Sequence, residues 1–161
     1  MFLTASLIDF FVNMIPMRIP VQLEDGGITY NDGMSLMHLI VRKNLPQEYL
    51  EIEGYLVDQS YDKALERSAE ILAENPSNKM VFDLRVDALI ASKDYRQLIQ
   101  DYNVYSDHLK YDNDDFVKLG RVHNLLNEFE QAEHYLKIVF EKDFSNSELM
   151  LELGIARMGL R

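Results

Sequence analysis

The chain has 161 residues, 47% of them hydrophobic, with only 4 Pro and 7 Gly, a composition that excludes intrinsic disorder and fits a folded, helix-rich chain with a buried core. It contains no Cys, so a disulfide framework, a thiolate metal site and a cysteine nucleophile are excluded. The net charge is −11, and because residues 1–45 hold three basic and four acidic groups, −10 of it falls on residues 46–161. So acidic a segment repels phosphate backbones, which argues against nucleic acid and for basic or neutral polypeptide partners.

Taken in chain order, residues 1–15 form an apolar run broken by Asp9 and Asn13. The run lacks the basic start and small-residue cleavage site of a leader peptide. It is shorter than the roughly 20 residues of a full helical span. It therefore predicts an apolar helix that touches a membrane surface, or the tail of a span that begins upstream. Gly26-Gly27, between Val21-Gln-Leu23 and Ile28-Thr-Tyr30, is a hairpin signal. Asp32-Gly33 then opens the apolar run Met34–Val41, which predicts a second helix.

An apolar helix ending in Asn13-Met-Ile-Pro16, a short hairpin, and Asn31-Asp-Gly33 opening another apolar helix resemble, over residues 13–43, the carboxy-terminal Asp-Gly segment of the M50 (site-2 protease-like) membrane metallopeptidases. In that family the Asp of the Asp-Gly motif is the third zinc ligand, completing a site begun by an upstream His-Glu-x-x-His helix. Carried over by position, the ligand is Asp32, with Asp25 of Asp25-Gly-Gly27 as the second choice. An Asp before Gly at a helix start is equally an ordinary cap and turn residue. The chain has no His-Glu-x-x-His, and its four His residues, His38, His108, His123 and His134, lack such metal-ligand spacing. This chain alone is therefore expected to hold no zinc and to hydrolyse nothing, zinc belonging to a parent protein of which it would be the carboxy-terminal part. His123 and His134 are expected at packing or surface positions, and His38 within an apolar run.

From about Pro46 the pattern changes to a repeat. Tyr61…Ala64, Tyr95…Leu98 and Phe129…Ala132 follow one another at 34 residues, and so do Phe82, Phe116 and Met150, and Ile52, Val86, Gly120 and Gly154. Two independent registers agree on a period that belongs to a helix-turn-helix unit whose apolar face only a stacked neighbour can bury. Helices are predicted near 48–58, 62–74, 80–92, 96–107, 114–126, 130–142 and 146–158. Phe116-x-x-Leu119-Gly120-x-x-His123…Phe129-x-x-Ala132 resembles the tetratricopeptide (TPR) pattern, with His123 in place of its usual Tyr. Tyr55, Tyr61, Ala64, Leu72 and Pro76 match in the first copy. Small residues suit close helix crossings, so Ile52, Val86 and Leu98 predict wider crossings in the first two repeats.

The resemblance implies an all-α fold, a TPR-type superhelical array of antiparallel helix pairs of about 3.5 repeats over residues 46–161. An apolar helix and a short β-hairpin would precede it in residues 1–45. In such arrays the first helix of each pair lines the concave face, which here implies a partner-binding groove of Tyr49, Glu53, Met80, Asp83, Asp87, Asp114, Val117 and Arg121. The Lys/Asn/Arg clamp that grips chaperone tails is absent, since its positions hold Tyr49, Leu50, Glu53, Met80 and Leu84. The same carboxylates also read as a plain solvated helix face. The expected function is protein–protein interaction, by the carboxy-terminal part of an M50-like membrane peptidase or by a free-standing adaptor. The array would be cytoplasmic in either case. Met150, Leu151, Leu153, Ile155 and Met158 leave the last helix apolar, whereas repeat arrays normally end on a polar cap.

Overall fold

The computed structural model describes Val21–Gln22, Ile28–Thr29, residues 45–142 and residues 147–161. The chain divides into two units, Met1–Leu50 and Glu51–Arg161. In the first, strands β1 (Val21–Gln22) and β2 (Ile28–Thr29) pair antiparallel, Val21 opposite Thr29 and Gln22 opposite Ile28. The expected apolar helices at 1–15 and 34–41 lie outside the described residues. Seven helices follow among the described residues: α1 (Gln47–Val57), α2 (Tyr61–Glu74), α3 (Lys79–Ala91), α4 (Tyr95–Tyr105), α5 (Asn113–Leu125), α6 (Phe129–Phe140) and α7 (Ser147–Gly159).

Helix starts recur at the sequence period. Tyr61, Tyr95 and Phe129 open α2, α4 and α6, while Lys79, Asn113 and Ser147 open α3, α5 and α7. Local chemistry explains the boundaries. The Asn78 side chain accepts the Val81 N–H at 3.3 Å and that of Asp94 accepts the Gln97 N–H at 3.2 Å, each satisfying a donor in the first turn. Asp112 and Asp115 form a reciprocal capping box, Asp112 accepting the Asp115 N–H at 3.1 Å and Asp115 accepting the Asp112 N–H at 2.8 Å.

The turns between the helices of each pair also repeat. Gln59, Lys93 and Asn127 have φ of 55°, 62° and 58° and stand 34 residues apart. Each closes its helix with a Schellman motif. The residue after it donates to the carbonyl five back, as in Ser60 to Tyr55 (2.8 Å), Asp94 to Leu89 (2.9 Å) and Glu128 to His123 (2.9 Å). A left-handed backbone costs an L-residue about 1–2 kcal/mol, and Asn tolerates it better than Lys. Lys93→Gly is therefore expected to stabilise the protein by about 0.5–1 kcal/mol and Asn127→Gly by less, read as the shift in urea midpoint at unchanged slope.

Packing follows residue size. Gly120 of α5 lies so close to α6 that an added Cβ would stand 2.4 Å from Leu136 Cγ, and Ala132 beside it is fully buried. At the matching positions of the preceding pair stand Val86 and Leu98, both fully buried, and there α3 and α4 approach over much less of their length than α5 and α6. Fewer close backbone approaches are what a wider crossing in the second pair would give. Aromatic rings fill it: buried Phe82 has Tyr102, Tyr105 and Tyr111 around it at centroid distances of 5.1, 5.4 and 6.1 Å. A second core joins Ala132, Leu136 and Val139 of α6 to Leu149, Leu153 and Ala156 of α7. Helices α2, α3 and α4 are tied by Arg85, which is 2.6 Å from Asp101 Oδ2 and donates to the Leu65 carbonyl at 2.8 Å.

Candidate polypeptide-binding face

Helical spacing places Met80, Asp83 and Asp87 in one stripe on α3, and Asp114, Val117 and Arg121 in another on α5. Asp87, Asp114 and Arg121 are exposed, Met80 is 40% exposed, and Asp83 and Val117 are half-buried. The two stripes are brought together by lysines. Lys118 Nζ of α5 is 2.9 Å from Asp114 Oδ2 and 3.6 Å from Asp87 Oδ1 of α3. Lys79, opening α3, bonds Asp83 on its own helix and Asp115 Oδ1 of α5 at 3.0 Å. Farther along, Arg121 Nε lies 3.5 Å from Glu152 Oε1, joining α5 to α7. Glu53 is half-buried on α1, and Tyr49 stands in the first turn of that helix within the first unit.

The face is therefore an alternation of carboxylates and cations, more nearly neutral than the acidic groove expected. Lys79 and Lys118 are the residues that the sequence reading missed. Their signal was present, since Lys79/Asp83 and Asp114/Lys118 are each four apart on a helix, the spacing at which opposite charges meet. Burial disfavours the charged form of both lysines, yet the hydrogen bonds that Lys79 donates to Asp83 and Asp115, and Lys118 to Asp114, outweigh it and raise both above the ordinary lysine value. Burial pushes the Asp83 carboxyl up despite Lys79 beside it.

Behind the face sits Asp115, 1% exposed. Besides Lys79 and the Asp112 N–H, it accepts the Tyr102 hydroxyl at 2.9 Å, and the Tyr111 hydroxyl in turn donates to the Tyr102 carbonyl. Burial and the adjacent Asp115 charge raise Tyr102, and the same two causes push Tyr111 up to about 12. Both phenols thus stay protonated and donate. Asp112-Asn-Asp-Asp115 carries the acidic spacing of a capping box, a signal by which Asp115 could have been found.

His123, at the position of the usual Tyr, is buried, stacks on Tyr135 at 5.4 Å with an interplanar angle of 15°, and places Nδ1 2.8 Å from Glu128 Oε2. That hydrogen bond, with help from Arg96, holds the Glu128 carboxyl below its ordinary value. It is a packing position, as expected, while His134 and His108 are exposed. At the clamp positions Leu84 is buried and Leu50 half-buried. Asp32, Asp25 and His38 lie outside the described residues, as does the segment 1–15 expected at a membrane. Among the described residues, no group of three His, Asp or Glu is arranged to hold a metal ion, and no helix is long and apolar enough to cross a membrane. No protein-family model matches the chain, and no curated protein matches it in sequence.

Proposed function

We propose that residues 46–161 are a tetratricopeptide-type array of antiparallel helix pairs, and that its face of Met80, Asp83, Asp87, Asp114, Val117 and Arg121 binds a basic or neutral segment of another polypeptide. The observation that carries this reading is the shared 34-residue recurrence of helix starts and left-handed turn residues, the mark of stacked helix pairs that present their first helices as a binding surface. Asp87 offers the entry point. It is exposed, and its lysine stands at 3.6 Å, beyond hydrogen-bond distance and already engaged by Asp114. A guanidinium or ammonium of a bound segment can take Asp87 with little lost, and Met80 and Val117 offer apolar contact beside it. The binding face is the same whether residues 1–45 end a membrane peptidase or cap a free-standing adaptor.

The test uses two labelled peptides of equal apolar content, one bearing Lys and Arg and the other Glu, titrated with the full chain by fluorescence anisotropy. The basic peptide is expected to bind and to weaken as salt rises. In the chain carrying Asp83→Lys and Asp87→Lys its affinity should fall about tenfold, with helical circular dichroism unchanged. Equal binding of both peptides, or full affinity in the double variant, would sink the assignment.

A further inference from the structure

Helix α7 repeats α5 one period on, with Met150, Leu151, Gly154 and Met158 at the positions of Phe116, Val117, Gly120 and Asn124. On α5 Phe116 and Gly120 are packed against α6. Phe116 stacks on Tyr135 at 6.3 Å, and Gly120 has Leu136 where a Cβ would stand. On α7 the opposite holds: no atom lies within 4 Å of the Cβ position of Gly154, and Met150, Leu151 and Met158 are 51%, 63% and 68% exposed. The other side of the helix, Leu149, Leu153 and Ala156, is already spent on α6.

We propose that a second copy of this chain covers that face, the two α7 helices crossing antiparallel about a two-fold axis at Gly154. The stripe is self-complementary. Met150 and Met158 each lie four residues from Gly154, so in an antiparallel crossing the Met150 of one copy meets the Met158 of the other, and the paired glycines let the backbones approach. Four side chains, Leu160 included, leave on the order of 400 Å² of apolar surface per copy, about 800 Å² for the pair, the size of a weak, transient interface.

Charge also selects this occupant. Two copies of a chain of net charge −11 repel at most of their surface. Among the described side chains of α7, however, Glu152 is buried and receives the Asn124 amide at 2.9 Å, and exposed Arg157 is paired with Glu133 of α6 at 3.1 Å, so this face adds no net negative charge to the contact. An apolar face without net negative charge offers little to the basic peptide expected on the α3/α5 face. The dimer contact is built on α7 and the peptide face on α3 and α5, so variants on different helices let each fail without the other.

The absence of Cys makes a direct test clean. In sedimentation equilibrium at micromolar concentrations the full chain should dimerise. Leu151→Asp and Met158→Asp, both at exposed positions, should weaken the dimer about tenfold or more with unchanged circular dichroism. Under mild oxidation Gly154→Cys should form a disulfide-linked dimer, because a symmetric crossing at a small residue brings the two sulfurs into bonding range. Val57→Cys, 75% exposed on α1, should not. A wild-type chain that stays monomeric, a dimer indifferent to both charged variants, or Gly154→Cys linking no faster than Val57→Cys would each overturn the proposal.

Discussion

Replacing Asp115 by Ala is expected to lower the free energy of unfolding by about 3 kcal/mol. This carboxylate is 1% exposed and serves three partners, the Lys79 ammonium at 3.0 Å, the Tyr102 hydroxyl at 2.9 Å and the Asp112 N–H at 2.8 Å. Removing it leaves the Tyr102 donor buried without an acceptor and half of a capping box gone. Breaking a buried ion pair typically costs about 3–5 kcal/mol. The lower end applies because the Lys79 side chain is 29% exposed and keeps Asp83. Chemical denaturation of the wild type and the variant in parallel measures the difference. A loss below about 1 kcal/mol would mean that the network adds nothing beyond its solvated parts.

Gly120→Leu is expected to cost about 3 kcal/mol, the upper end for overfilling a packed site. The reason is geometric: the first added carbon already meets Leu136 Cγ at 2.4 Å, and Leu136 is fully buried in the α6/α7 core with no free direction to move. Even Gly120→Ala should destabilise, although Ala is the better helix former by about 1 kcal/mol. Gly54→Ala is the matched control. Gly54 lies inside α1, and no atom stands within 4 Å of its Cβ position, so the same substitution there should stabilise by about 0.5–1 kcal/mol. Thermal melts of the three variants decide it, and the same sign at Gly120 and Gly54 would refute the close crossing.

The sequence by itself determined the helices and their period. Aromatic and small residues spaced by 34 placed all seven helices to within about two residues, because a helix-turn-helix unit writes its buried face directly into residue spacing. Residue size at 86, 98, 120 and 132 foretold which of the last two pairs would cross closely, since a backbone approach is limited by the side chain that stands in it. The stripe positions of the candidate face were legible for the same reason.

Only the tertiary structure decided what those stripes carry. Lys118 reaches Asp87 across two helices 31 positions apart in sequence, and Lys79 reaches Asp115 from 36 away. Charge counting along one helix cannot show a partner on another, so the face read as acidic when it is largely paired in place. Asp115 ends the run Asp112-Asn-Asp-Asp115, in which spacing along the chain does not tell a solvated carboxylate from a buried one, yet the fold leaves it 1% exposed and bonded to Tyr102. The turn residues Gln59, Lys93 and Asn127 hold a left-handed backbone with no Gly to announce it, because their conformation is imposed by the two helices that each turn must join rather than by the residue itself.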